Sequence, residues 1–434
     1  LDLSLLHSDT TSIYFEGAYE DKAGQPKQEE DGPLLVKGYN KDGQPDKVQF
    51  VLSLVTAGRV PLSYTIWNGN QSDDGVYLAD LRRLRKAGWT EDNLIFMGDR
   101  KLCNRETMLG FCRQGEQFLA PHPWTEMAKK AWRETVPQLE NQQLHWQEVS
   151  YTTKKEANWP EEKRTRYRVC EIPYQLTDPQ RQNAYDVRWV FSHSSAKAEL
   201  DQRQRAKAIA KGEAVLTKMQ NLLGKYEYRT YGKIATTLQQ RLGQAKRYFA
   251  YQLHGEEGSR EWTLTWEKCE KVMEEEQRFD GITLFCTNVP LEKLSAPEVM
   301  VKYKSQGKVE QTIDFIKSPV HIRPMWLHSP TRLAGLTLLI MIAVFMASLI
   351  EQAVRNHVGQ TGKPVKGLMP DKRDNLAPTA RRILEIFQSY AVVIVKYSDG
   401  RREVHWPRLG SVQAQIFSIL DLSLLNPLLG GSEK

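Results

Sequence analysis

Cysteine is scarce and unpatterned: Cys103, Cys112, Cys170, Cys269 and Cys286 are odd in number and form no C-x-x-C pair. Zinc-ribbon and thioredoxin-like motifs are thereby excluded, and reduced, partly buried thiols of a cytosolic protein are expected. No His or Cys cluster offers a soft-metal ligand set, so any metal would fall to carboxylates. The 20 Pro and 28 Gly in 434 residues are too few for a disordered chain. The chain opens on Leu1 without Met, signal peptide or transit pattern, and an upstream segment is expected to precede it. Long apolar runs are also nearly absent. The exception, Leu333 to Ile350, has 18 residues without a charge, the lower limit for a membrane span. Glu351 follows at once and no aromatic belt or second span accompanies the run, so a buried core helix is expected and no membrane partner.

What is present is ordinary in bulk and informative in detail. The length suits one large core with an insertion, or two to three domains. A formal charge of +7 permits a polyanionic partner without requiring one. From Ser4 to Tyr14 the sequence predicts a strand with Asp9 near its centre. Lys47–Val55 and Val60–Trp67, flanking Thr56 to Gly58, predict a hairpin. Gly75–Lys86 has an apolar stripe opposite Arg and Lys and reads as an amphipathic helix. The short apolar strand Asn93–Gly98 delivers Asp99 at its carboxyl end, and a helix over Arg105–Arg113 and a strand over Gln117–Ala120 follow. The order strand, strand, strand, helix, strand, helix, strand is that of an RNase H-like α/β fold, a mixed sheet flanked by helices. In such a sheet Asp9 and Asp99 can converge at neighbouring strands.

Residues 121 to about 280 break the pattern and are expected to form a large insertion between the second Asp and a later Glu-bearing helix. Seven tryptophans fall here, Trp124, Trp132, Trp146, Trp159, Trp189, Trp262 and Trp266. Between Ala196 and His254, 12 Lys or Arg face 4 Asp or Glu, a surplus of +8, around a helical tract from Ala196 to Leu223. The pattern suits a phosphate-tracking surface with rings available for stacking, and equally a solvated helix over core tryptophans. Asp280–Thr287 predicts a returning strand, Pro297–Lys317 a long helix, and Gly359–Pro378 a connector to a helix-hairpin-helix tail. The expected division is therefore 1–120 and 281–358 for the core, 121–280 for the insertion and 359–434 for linker and tail. The string LDLSLL at Leu1–Leu6 and Leu420–Leu425 lies in two unlike contexts and is read as coincidence.

On the predicted helix Tyr303, Gln306, Glu310 and Lys317 are spaced Y-x2-Q-x3-E-x6-K, which puts all four on one face. Alone that is an exposed face. Beside Asp9 and Asp99 it supplies a third acid, and two-metal phosphodiester chemistry needs such a carboxylate set for Mg²⁺, a hard ion that prefers oxygen. Glu16, Asp73, Asp74, Asp280 and Asp314 are the competing acids, with Asp73 and Asp74 placed to cap a helix and Asp314 to partner Lys317.

These strings together resemble the insertion-sequence DD(E) transposases with a Y-R-E-K signature, a bacterial branch of the RNase H-like, retroviral-integrase superfamily. The carriers are SDTTSIYFEG, GYNKDGQPDKVQ, GNQSD, FMGDR, FDGITLFCTN, the Tyr303–Lys317 spacing and RPMWLHSPTRL, in that order along nearly the whole chain. The resemblance implies a transposase that cleaves double-stranded DNA at transposon ends and joins the 3′-OH to target DNA. It implies Asp9, Asp99 and Glu310 as catalytic, metal-binding residues holding two Mg²⁺ ions, with Mn²⁺ as substitute. Tyr303, Gln306, Lys317 and Arg100 are implied as DNA contacts, and a homodimer on DNA in the bacterial cytoplasm, associated with the nucleoid, as the working state. Gln306 stands at the family's Arg position, Lys101 where Gly is usual and Gly335 where a polar residue is common. The expected upstream segment is the family's usual place for recognising transposon ends. The alternative is a decayed or domesticated relative that binds DNA without cutting it; a simple RNase H-like nuclease is a third reading.

Overall fold

The computed structural model describes residues 2–421 apart from 18, 21–23, 27–28, 31, 89–93, 154, 318–326, 328, 392 and 406. Five residues of the expected RPMWLHSPTRL stretch (323–326 and 328), Asn93 and most of the second LDLSLL lie outside the described residues. Two compact units form: Leu1–Phe118 with Lys304–Lys434, and Leu119–Tyr303.

In the first unit, β1 (Leu5–Tyr14), β2 (Gln49–Ala57) and β3 (Val60–Trp67) run antiparallel, then come α1 (Val76–Lys86), β4 (Ile95–Met97) and α2 (Arg105–Arg113), with β4 parallel to β1. The order β3-β2-β1-β4 makes the sheet mixed and β1 interior. The hairpin turn sits at Gly58 and Arg59, one residue later than expected, where Gly58 takes φ +61°; only glycine adopts that region without strain. β2 is buried along its whole length because helices cover both of its faces. Phe50, Leu52 and Leu54 pack with Ile13 and Phe15 on one face. On the other, Ser53 donates to Asp80 of α1 (3.0 Å), as does Thr65 of β3 (3.0 Å).

Asp80 is nearly inaccessible, and burial pushes its carboxyl up from 3.8 to about 6 against the help of those two hydroxyls. A carboxyl with a raised native pKa makes folding take up a proton, so its cost is absent below about pH 4 and complete above about pH 6. Asp80→Asn should therefore stabilise the protein at pH 7 by about 2–4 kcal/mol relative to pH 4. Urea unfolding at the two pH values checks this; an equal effect at both would show that Asp80 ionises freely.

The chain enters the second unit along β5 (Gln117–Pro121). There α3 (Glu126–Glu140), β6 (Gln147–Val149), β7 (Tyr167–Asp178), β8 (Asn183–Ser194), α4 (Ser195–Leu222), α5 (Tyr231–Leu242), β9 (Phe249–His254), β10 (Thr263–Lys268), α6 (Glu270–Gln277), β11 (Ile282–Thr287) and α7 (Ala296–Tyr303) follow. The sequence assigned β11 to the catalytic core, yet it groups with the insertion because it pairs with β8 over six residues, Ile282 to Thr287. The tryptophans are largely structural. Trp132, Trp189 and Trp262 are buried, Trp189 stacks on Tyr174 with centroids 4.2 Å apart, and Trp132 and Trp262 donate to the carbonyls of Arg278 and Arg229. Rings open for base stacking are thus not what most of them provide. α4 carries Gly212 mid-helix because a Cβ there would meet the Phe249 ring at 2.3 Å.

Back in the first unit come α8 (Gly307–Lys317), α9 (Pro330–Thr361), α10 (Ala380–Glu385), a β12–β13 hairpin (Val393–Lys396, Arg402–His405) and α11 (Ser411–Ile419). Instead of the single expected helix Pro297–Lys317, a 3₁₀ turn at Lys304–Gln306 separates α7 from α8. Gly307, a weak helix former, directly follows a Gln306 drawn inward. Tyr303 therefore does not share a continuous helical face with Glu310. The apolar helix α9 is buried on one face through Leu333, Met341, Val344, Ala347 and Val354, while Leu338, Leu339, Ile342, Met346 and Leu349 are exposed. It is a core helix on one side only, and it is long and apolar enough to cross a membrane.

Candidate active site

Strand pairing fixes where Asp9 looks. Residues directly opposite in an antiparallel pair share a face, and Asp9 stands opposite Leu54 while Thr10 stands opposite Ser53. Leu54 belongs to the cluster that α8 enters through Val309, Ile313 and Ile316. Asp9 and His7 consequently face α8, and Thr10 faces α1. The parallel register His7↔Met97, carried two residues on, brings Asp9 and Asp99 level just past the end of β4. α8 buries Val309, Thr312, Ile313 and Ile316, which leaves Glu310 exposed in its first turn.

The charges of Asp99 and Glu310 both reach Asp9. Asp9's carboxyl is pushed up from 3.8 to about 6, first by burial, while Lys41 and the Thr10 amide draw it down and the charges of Asp99 and Glu310 push it further up. Asp99 is held in place by two donors to one oxygen: the Tyr77 hydroxyl at 2.6 Å and the Lys101 amide at 2.8 Å. Burial, then the Asp99 charge, drives the Tyr77 phenol far above its ordinary range, so it stays a donor. Of the competing acids, Glu16 pairs with Lys47 and Asp280 with Arg205. Asp314 is not the partner of Lys317. The Lys317 ammonium instead meets both oxygens of Asp42, at 2.9 and 3.1 Å.

Asp73 is not a cap: Ser72 occupies the N-cap without a side-chain bond. The buried Asp73 carboxylate accepts from Thr10 Oγ1 at 2.7 Å and Lys101 Nζ at 2.7 Å, with Lys41 Nζ at 3.3 Å. Lys41 also donates to the Thr10 carbonyl at 2.8 Å and lies 4.0 Å from Asp9. Those contacts lower the Asp73 carboxyl despite its burial. Sequence reasoning missed Lys41 and Tyr77 as parts of this cluster, weighed Asp73 as a competing acid but read it as a helix cap, and noted Lys101 only as a departure. Their signal lay in two quoted strings, since Lys41 is in GYNKDGQPDKVQ and Asp73 closes GNQSD. The glycines of these strings are steric requirements, for a Cβ on Gly69 would lie 2.1 Å from the Gln49 carbonyl oxygen and one on Gly38 would lie 2.2 Å from that of Gly69.

Gln306 is buried near His7, and burial lowers the His7 imidazole to about 4 and so keeps it neutral; Gln306 Oε1 and His7 Nδ1 are both buried without a hydrogen-bond partner among the described residues. Ser305 Oγ lies 3.1 Å from His7 Nε2. A guanidinium at this place would be a buried charge beside a neutral imidazole, which is costly; the uncharged amide suits the surroundings. Arg100 is exposed in the turn after Asp99, and Tyr303, in the second unit, packs on Phe285 with centroids 4.8 Å apart.

No curated protein matches the chain. Among solved structures, a Mos1 transposase paired-end complex with the left transposon end is similar at 15% identity and a TM-score of 0.17, covering 27% of this chain and 34% of that one. This chain thus spans about a third of the solved chain it matches. The family described as transposase DDE domain matches residues 9–346, a span that begins at Asp9 itself. By that match over most of its length, the chain belongs to the DDE transposase family.

Proposed function

We propose that this protein is a transposase that cleaves DNA at transposon ends and transfers the strand into target DNA, with Asp9, Asp99 and Glu310 as its catalytic carboxylates. The observation that carries this reading is the raised Asp9 carboxyl, on which the charges of Asp99 and Glu310 both act. Members of the family use divalent metal ions. The three residues fit two Mg²⁺, or Mn²⁺, in donor type and charge, since all are hard oxygen donors whose mutual repulsion a cation relieves. Among the described residues, no three acidic, His or Cys side chains are grouped to hold one ion by themselves, and the fit rests on donor chemistry. Bound divalent ions supply Lewis acidity to the attacking and leaving oxygens of the phosphodiester.

The protein's own groups do the positioning. Tyr77 and the Lys101 amide orient Asp99, the Thr10 amide orients Asp9 at 2.7 Å, and the core under α8 sets the height of Glu310. Lys41 and Lys101, fixed by Asp73, keep positive charge beside Asp9 and Asp99. Arg100 is the exposed cation nearest Asp99 in sequence, suited to a phosphate contact, with Tyr303 as a further candidate; Gln306, which is buried, and Lys317, which is held by Asp42, are poorly placed to touch DNA. A homodimer would hold two DNA ends together, and the work would be done in the cytoplasm, at the nucleoid.

The second reading, a DNA-binding relative that no longer cuts, draws on the burial of the uncharged Gln306 and on Lys317 engaged by Asp42. One assay separates the two. Purified protein with supercoiled plasmid and Mg²⁺ or Mn²⁺ should yield open circles, and chelation with EDTA should stop it. Binding without nicking under either ion supports the second reading, and cleavage without joined products reduces the protein to a nuclease.

A further inference from the structure

α4 is 28 residues long and its two sides differ in how their charges are answered. On the inner side, Lys197 pairs with Asp201 at 2.6 Å, Arg205 with Asp280, and Glu213 with Lys268 of β10 at 2.6 Å. On the outer side, Lys207, Lys211 and Lys218 are exposed and, among the described residues, have no acidic partner. Steps of four and seven keep these three on one stripe of a helix. Arg203 extends it by one more step of four, its exposed pairing with Glu199 being of the weak surface kind. Between them the exposed face is Ala206, Ala210 and Ala214, whose small side chains leave the cations unobstructed.

We infer that this stripe docks lengthwise on the phosphate backbone of double-stranded DNA, as a sequence-independent contact additional to the catalytic cluster. From Arg203 to Lys218 the helix rises about 22 Å, long enough to reach several phosphates of a duplex whose strands each carry one charge per about 3.4 Å of axis. Successive cations four residues apart are about 6 Å from one another along the axis, so each meets a different phosphate. No acid interrupts the row, because Glu213 is turned to β10 by Lys268. A solvated face serving only solubility would have no reason to gather unanswered charge of one sign on a single line while every cation on the opposite side is paired. The inference rests on the DNA-processing reading above and adds to it a surface in the second unit.

The test is the salt dependence of binding to a random-sequence DNA duplex, measured by anisotropy in EDTA so that no cleavage occurs. The full chain is compared with Lys207→Gln/Lys211→Gln/Lys218→Gln, with the charge-preserving Lys→Arg triple at the same sites, and with Lys363→Gln/Lys366→Gln/Lys372→Gln, which removes equal charge in the first unit. Each lost phosphate contact lowers the slope of log affinity against log salt by about 0.9. The α4 Gln triple should thus lose about two to three from the slope and weaken binding at least tenfold at low salt, while the Arg triple keeps both. An unchanged slope, or an equal loss in the control triple, overturns the stripe with the transposase reading intact. Failure of the parent protein to bind any duplex overturns both.

Discussion

Asparagine at Asp99 should lower plasmid nicking roughly a thousandfold or more while leaving DNA retention on a gel unchanged, in line with the loss of a group that acts as part of a unit. The substitution is nearly isosteric. Tyr77 and the Lys101 amide both donate to one oxygen of Asp99, and an asparagine carbonyl oxygen can accept both, so the β4 end keeps its conformation. What disappears is one negative charge from a set of three, and with it the hold on hard cations that the proposed chemistry requires. Measuring nicking and retention on the same preparation separates chemistry from binding. Activity within tenfold of the parent would remove Asp99 from the catalytic set.

Glu351→Ala should be the most damaging single change to stability in the first unit. Its carboxylate is almost inaccessible and receives Arg59 from the β2–β3 turn, Arg355 one turn along α9 at 3.0 Å, and the Ala380 amide that opens α10 at 2.7 Å. Burial pulls the Arg355 guanidinium down, Glu351 holds it up and Arg59 lowers it again. Truncation strands two half-buried guanidiniums facing each other and leaves a helix-start amide unpaired, a loss of about 3–5 kcal/mol. The expected signature is a lower denaturant midpoint. Replacing Arg59, Glu351 and Arg355 together by apolar residues should recover much of it, since that removes the stranded charges. No shift in the single variant would mean that water already serves this site.

Parts of this fold could be read without coordinates because local rules and packing agree. α2 spans the expected Arg105–Arg113, with Asn104 accepting from the Glu106 amide at 2.9 Å as its N-cap. β1 shows where its alternation leads, since the row that carries Ile13 toward α8 also carries Asp9. The break between α7 and α8 was less visible, because Gly307 inside an apolar period is tolerated in many helices. The turn is also tied to a distant residue, since Ser305 Oγ lies 3.1 Å from His7 Nε2, some 300 residues earlier. The cluster around Asp73 was hidden for the same reason. Thr10, Lys41, Asp73 and Lys101 lie on different elements, and pairing among them obeys no sequence period. Alternation and capping are local properties; the matching of distant charges is decided by the sheet.

The outward face of α9 sets a practical constraint. Leu338, Leu339, Ile342, Met346 and Leu349 present a greasy strip to water among the described residues, and sulfate-type salts, by strengthening apolar association, should drive the protein out of solution along it. Stripping nucleic acid from a cationic helix such as α4 during purification calls for high ionic strength. The two surfaces ask for opposite buffers, and chloride with a mild detergent is the compromise that spares both.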